Sequence, residues 1–244
     1  MPRKRRRLLQ QRKELVDRYV RIVVHRKVRE IAHALARRFS RPKLQWSERK
    51  REKALVAALQ TVATEAARTR QHGFEAATAL LNMGLFFLIA ERDIQSVKID
   101  ALTHSDPWKR GLAARVMLLT IHELDIDKVA GKNLRQALDD GQVPQELRDS
   151  VTDAMRAIRK AQSRAQRQFT YLRNSTIAHR DPDAIRQYRD IVAIDGLEVA
   201  KVAVEFYAGT SQFIDVLPRV ITHLSTVPGM INQLAAQKAR AESP

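Results

Sequence analysis

Between Pro144 and Pro182 no glycine or proline interrupts the chain, and Leu147, Val151, Met155, Ile158, Ala165, Phe169 and Leu172 recur there at helical steps. One apolar stripe among charged residues is the pattern of a helix laid against a core. A rod this long leaves its stripe in water unless other helices cover it, so it commits the chain to helix-on-helix packing. The composition agrees, with 8 Gly, 8 Pro and 5% aromatics. No strand-like alternation competes, and no internal repeat is evident.

Periodicity and breakers divide the remainder. An amphipathic segment carries Val16, Val20, Val24, Val28, Ile31, Leu35 and Phe39. Ser40-Arg41-Pro42 is expected to break it, and Ser47-Glu48 to restart a helix through Leu55, Leu59 and Val62 to about Arg70. His72-Gly73 is the next joint. Residues 79–90 are apolar nearly all round yet too short to span a bilayer, which predicts a buried bundle helix, with Gly84 permitting close approach. Asp106-Pro107 reads as an N-cap followed by proline in the first turn, opening a helix expected to bury Trp108, Leu112, Val116 and Leu119. Asp139-Asp140-Gly141 and Pro144 mark the turn into the long rod. Pro182 begins a short helix through Tyr188. Asp195-Gly196-Leu197-Glu198 resembles a capping box for a last helix with Leu197, Ala200, Val204, Tyr207, Ile214, Leu217, Ile221 and Leu224 as its stripe and a kink at Pro218.

The predicted architecture is an all-α, up-and-down bundle over residues 73–228. A basic helical extension occupies 1–72, and a short or frayed tail 229–244. The absence of cysteine excludes disulfides and thiolate metal sites.

Charge is concentrated at one end. Of the net +17, residues 1–53 hold 20 Lys+Arg against 5 Asp+Glu, while the rest is nearly balanced at 24 against 22. Arg3, Lys4, Arg5, Arg6 and Arg7 open the chain, and Arg12, Lys13, Arg18 and Arg21 continue along the amphipathic segment. Such a block suits a nucleic-acid arm that neutralises phosphates, with binding set by salt rather than sequence. A solvated helix face or a surface drawn to anionic lipid are the alternatives. No secretory apolar region follows the charges, so a signal peptide is not expected and a cytoplasmic setting is.

The chemistry-bearing stretch is Tyr171-Leu172-Arg173-Asn174-Ser175-Thr176-Ile177-Ala178-His179-Arg180-Asp181-Pro182. A guanidinium offers a planar fork of donors to phosphate oxygens, and an imidazole titrates near neutral pH. Arg18 to His25, Arg26 to His33 and Arg115 to His122 have similar spacing, but each is expected inside a helix without a break after the histidine. Pro182 disfavours helical geometry at Asp181, so the long helix is expected to end near His179, where the macrodipole favours a cationic imidazole. At 100° per residue His179 stands over Leu172 while Arg173 is offset, so the two share a face only through unwinding or a second subunit. The plainer reading has Arg173 paired with Asp181 or Asp183 and His179 packed along the apolar stripe. His122-Glu123-Leu124-Asp125 lacks a second histidine one turn away and reads as a helix end rather than a metal site; no cofactor is expected.

Arg173-Asn174 followed, after four intervening residues, by His179 resembles the signature of HEPN domains, helical ribonucleases and RNA-binding modules of prokaryotic toxin–antitoxin and phage-defence systems. The form Arg173-Asn174-Ser175-Thr176-Ile177-Ala178-His179-Arg180-Asp181 is most similar to the abortive-infection branch. The resemblance extends over about residues 74–225, with specificity in the motif. It implies a homodimer facing two motifs across a cleft and metal-independent RNA cleavage by Arg173 and His179, with Asn174 in support. An antitoxin or regulatory partner is also implied. Where some relatives carry a modified tyrosine two residues after the histidine, this chain has Asp181. The expected alternatives are a non-catalytic RNA-binding and dimerisation module using the basic arm, and a DNA-binding regulator, for which no helix-turn-helix pattern speaks.

Overall fold

The computed structural model describes residues 41–174 and 182–242, which form an all-α bundle without strands. A helix α1 runs over 41–71, followed by α2 (Glu75–Thr103), α3 (Pro107–His122), α4 (Ile126–Asp140), α5 (Gln145–Leu172), α6 (Ala184–Val192), α7 (Gly196–Leu224) and α8 (Val227–Ala241). The centre is made by α5 on α7 and by α2 against α3, α4 and α7. Helix α6 rests on α3, and α8 on α4 and α7.

The stripe of α5 is buried along its whole length, from Leu147 to Leu172. It meets Val202, Phe206, Phe213 and Val220 of α7, and Phe87 of α2 completes the core with its ring 5.2 Å from that of Phe213, edge to face. Each such side chain contributes roughly 1.5–3 kcal/mol on full burial. Two glycines set how closely the helices approach. A Cβ on Gly209 would stand 2.8 Å from the Ile158 backbone nitrogen, so α5 and α7 cross with their main chains nearly touching. At Gly84 the added carbon would meet Leu217 Cδ2 at 2.5 Å, in line with the close approach expected there.

Several boundaries follow the sequence signals. The Asp106 carboxylate accepts from Trp108 N–H at 2.8 Å, with Pro107 opening α3. Asp195 accepts from Leu197 N–H at 2.8 Å, but Glu198 is engaged with Lys201 and Arg164, so the expected box is made on one side. Asp183 caps α6, which runs past Tyr188 to Val192.

Other expectations are corrected. Ser47 does not restart a helix, since α1 is already helical from 41 and Ser47 Oγ donates to Leu44 O, while Ser40 of the expected break lies outside the described residues. This end of α1 is held on α2 by Arg41–Asp100 at 2.8 Å, Glu48–Lys98 at 2.5 Å and Glu52–Arg92 at 2.7 Å. Helix α3 buries Gly111, Ala113, Ala114, Met117, Leu118 and Ile121, and leaves Trp108, Leu112 and Val116 outside. The buried face pairs small residues in the first half of α3 with Met117, Leu118 and Ile121 in the second. On α7, Leu217 and Leu224 are buried as expected, but Leu197 and Val204 are exposed, and the buried row of the first half runs through Val199, Val202, Phe206 and Phe213.

The expected frayed tail after residue 229 is instead α8. Helix α2 has no side-chain cap at Phe74, and the buried Gln233 of α8 supplies one from a distance. Its Oε1 accepts from Ala77 N–H at 3.2 Å while its Nε2 donates to Leu224 O and Gly229 O. Arg240 adds ion pairs to Asp140 at 2.5 Å and Glu75 at 2.9 Å.

Candidate functional site at the end of α5

Beside its apolar stripe, α5 carries Gln162, Gln166, Thr170 and Arg173, spaced so that they project from one side of the helix. That side faces the C-terminal end of α3, where the last carbonyls lack intrahelical donors. Gln162 Nε2 donates to Leu124 O, and Gln166 Nε2 to His122 O at 3.4 Å. The two amides therefore fix the end of α3 on α5, and with it His122 and Glu123.

The side chains at this junction form a chain of contacts. Arg173 Nε donates to Glu123 Oε1 at 2.6 Å, and Nη1 donates to Asn174 Oδ1 at 3.2 Å. The same Glu123 oxygen lies 3.0 Å from His122 Nδ1, and His122 Nε2 lies 3.4 Å from Thr170 Oγ1. The Arg173 hydrogen bond holds the Glu123 carboxyl below its usual range, with the His122 ring adding a smaller pull in the same direction. Arg173 and Asn174 continue α5 as a wider π-helical turn, a local irregularity common at functional sites. The Arg173 side chain is about one-third exposed, at 34%.

Of the residues singled out from sequence, Arg173 and Asn174 thus lie together at the end of α5. His179 lies outside the described residues, as do Arg3, Lys4, Arg5, Arg6, Arg7, Arg12, Lys13, Arg18 and Arg21. Asp183 is occupied as the α6 cap, accepting from Ile185 N–H and Arg186 N–H.

His122-Glu123-Leu124-Asp125 reads from sequence as a helix end, and α3 does end at His122, but Glu123 as the partner of Arg173 is not among the sequence expectations. The expectation that Arg115 and His122 lie within an unbroken helix is corrected, since α3 ends at His122 and α4 starts at Ile126. Asp125 opens the next helix, its carboxylate accepting from Lys128 N–H at 3.0 Å as the α4 N-cap. Among the described residues no group of three His, Asp or Glu side chains is placed to hold a metal ion.

Chemically, the junction offers a fixed, partly exposed guanidinium with an amide beside it and an imidazole on the same carboxylate. An Arg fork binds phosphate oxygens through paired N–H donors, and arginine has five of them. Comparison with family models, with curated proteins and with solved structures gives no match. Among the described residues no helix is long and apolar enough to cross a membrane.

Proposed function

We propose that the chain is a HEPN-like, metal-independent endoribonuclease of the toxin or phage-defence type, working as a cytoplasmic homodimer under an antitoxin or other regulatory partner. The observation that carries this reading is the oriented Arg173. It stands at the end of α5, whose apolar stripe is buried along its length, aimed by Glu123 and accompanied by Asn174. In this reaction the 2′-hydroxyl attacks the adjacent phosphorus and the 5′-oxygen leaves. His179 takes or returns the proton, Arg173 stabilises charge growing on the phosphoryl oxygens, and Asn174 orients the phosphate or the imidazole. The products are a 2′,3′-cyclic phosphate and a 5′-hydroxyl. The basic residues of 1–53 hold the RNA through its phosphates.

A second reading, a non-catalytic RNA-binding and dimerisation module, is favoured by one observation. The guanidinium that would meet phosphate already carries a carboxylate partner at 2.6 Å. Incubating RNA in EDTA with wild type, Arg173→Ala and His179→Ala, followed by end-group analysis, separates the two. The nuclease reading expects cyclic-phosphate ends from wild type and folded but inactive variants. Tight, salt-sensitive binding without cutting by any of the three overturns it in favour of the module.

A further inference from the structure

On the outer side of α3 the structure leaves aromatic and apolar side chains uncovered. Trp108 is 48% exposed and Leu112 50%, and Tyr188 of α6 is 60% exposed. The Trp108 and Tyr188 rings are nearly parallel, 22° between planes with centroids 6.4 Å apart. The Arg115 guanidinium lies 5.9 Å from the Trp108 ring centre. Beneath them is a cavity of about 440 Å³, walled by Trp108, Gly111 and Ala114 of α3 and by Tyr188 and Ile191 of α6. That size falls within the roughly 300–1,000 Å³ of small-molecule sites.

Charge points to the class of occupant. Residues 107–116 include Lys109, Arg110 and Arg115 and no Asp or Glu, and α6 adds Arg186 and Arg189. Of the nearby acids, Asp106 and Asp183 are occupied as helix caps, which leaves Asp190 of α6 against Lys109, Arg110, Arg115, Arg186 and Arg189. Flat π faces rimmed by cations are what an unpaired base with its phosphates requires: the ring stacks and the backbone meets Lys and Arg. The platform also leads toward the proposed active end. At 100° per residue, Trp108, Leu112, Val116 and Glu123 fall within a sector of about 80° on α3, spread over about 22 Å of helix. Glu123 is the residue that holds Arg173.

We propose that Trp108 and Tyr188, with Arg115 behind them, form a stacking subsite for an unpaired base of a single-stranded RNA whose backbone continues toward Arg173. This rests on the nuclease reading for its purpose, but binding by stacking can be tested without cleavage. The sequence contains two tryptophans, so in a Trp46→Phe background Trp108 is the remaining reporter. The full chain is titrated with single-stranded 2′-O-methyl RNA of about 12 nucleotides, which has no attacking hydroxyl, and with an abasic strand of equal length and charge.

The expected result is quenching of Trp108 emission by the base-bearing strand and not by the abasic one. By anisotropy of labelled strand, Trp108→Ala and Tyr188→Ala each weaken binding roughly tenfold or more, while Trp108→Phe retains most of the affinity. Equal binding of both strands with unchanged emission overturns the subsite. So does a result in which the alanine variants alter only sedimentation, since the face is then a contact between copies of the chain. Quenching that persists while wild type fails to cut natural RNA supports the subsite and removes only the nuclease reading. Cutting that persists without quenching removes only the subsite.

Discussion

Arg173 at the end of α5 and Glu123 at the end of α3 are joined Nε to Oε1 at 2.6 Å, across 50 positions of sequence. With both side chains partly exposed, the pair adds little stability, about 0–1 kcal/mol for such surface bridges. Its consequence is directional: the carboxylate decides where the guanidinium points. Glu123→Gln, which keeps the shape and removes the charge, is expected to shift melting by only a degree or two and, on the proposed nuclease reading, to lower RNA cleavage about tenfold, a loss of roughly 1.4 kcal/mol of transition-state stabilisation. Single-turnover cleavage in EDTA alongside a thermal melt checks this; equal loss in both would make the pair merely structural.

The same bond has a pH signature. Arg173 lowers the folded-state pKa of Glu123 below its unfolded value of about 4.5. A depressed carboxylate stabilises the fold above the unfolded value, and that contribution fades as pH falls through the folded one. The melting difference between wild type and Glu123→Gln is therefore expected to be constant around neutrality and to vanish in acid. A difference that grows below the unfolded value would contradict the assignment.

Glu91 behaves in the opposite sense. Burial raises its pKa, against the hydrogen bond from Thr210 and the charge of Lys98. A carboxyl with a raised folded pKa favours the fold at low pH and penalises it increasingly as pH climbs through the interval between unfolded and folded values. Glu91→Gln is expected to melt higher than wild type at neutral pH and to lose that advantage in acid. Melting curves across pH check it.

Gly209 tests the crossing of α5 and α7. A methyl group there meets the Ile158 nitrogen at 2.8 Å and Ala157 C at 3.1 Å, and neither belongs to a side chain that can swing away. Gly209→Ala is expected to destabilise by about 1–3 kcal/mol despite the better helix propensity of alanine. For a chain of this size that lowers the melting temperature by roughly 2–12 °C.

Gln233→Leu keeps the volume and removes three hydrogen bonds, those from Ala77 N–H and to Leu224 O and Gly229 O. Leaving buried backbone groups unpaired costs about 1–3 kcal/mol. Hydrogen exchange is expected to show faster opening at the first turn of α2 and the last turn of α7, with α5 unaffected.

How far the sequence could be read depended on where each residue finds its partner. The α5 stripe was legible because its apolar residues occupy one side and its other sides are charged. Helix α3 misled because apolar residues lie on more than one face: Trp108, Leu112 and Val116 form a stripe as regular as the buried one through Ala114, Met117, Leu118 and Ile121. On α7 apolar residues surround much of the circumference, so the expected stripe holds at Leu217 and Leu224 but is displaced from the buried row in the first half of the helix. Asp106 and Asp195 were readable as caps because a cap acts within three residues. Glu123 was not readable as Arg173's partner, since nothing local distinguishes a carboxylate 50 positions away from any other. Gln233 was missed for the same reason, being a polar residue in what looked like a loose end.

That glutamine also sets an order of events during synthesis. The α2 amide it satisfies, at Ala77, leaves the ribosome 156 residues before Gln233 does. At about 5–20 residues per second that interval lasts roughly 8–30 seconds. Throughout it the bundle grows with its first turn unfastened, and emergence of α8 draws the clasp shut. The nascent chain thus carries a timer, and the assembly containing Arg173 and Glu123 is complete in sequence well before the clasp closes.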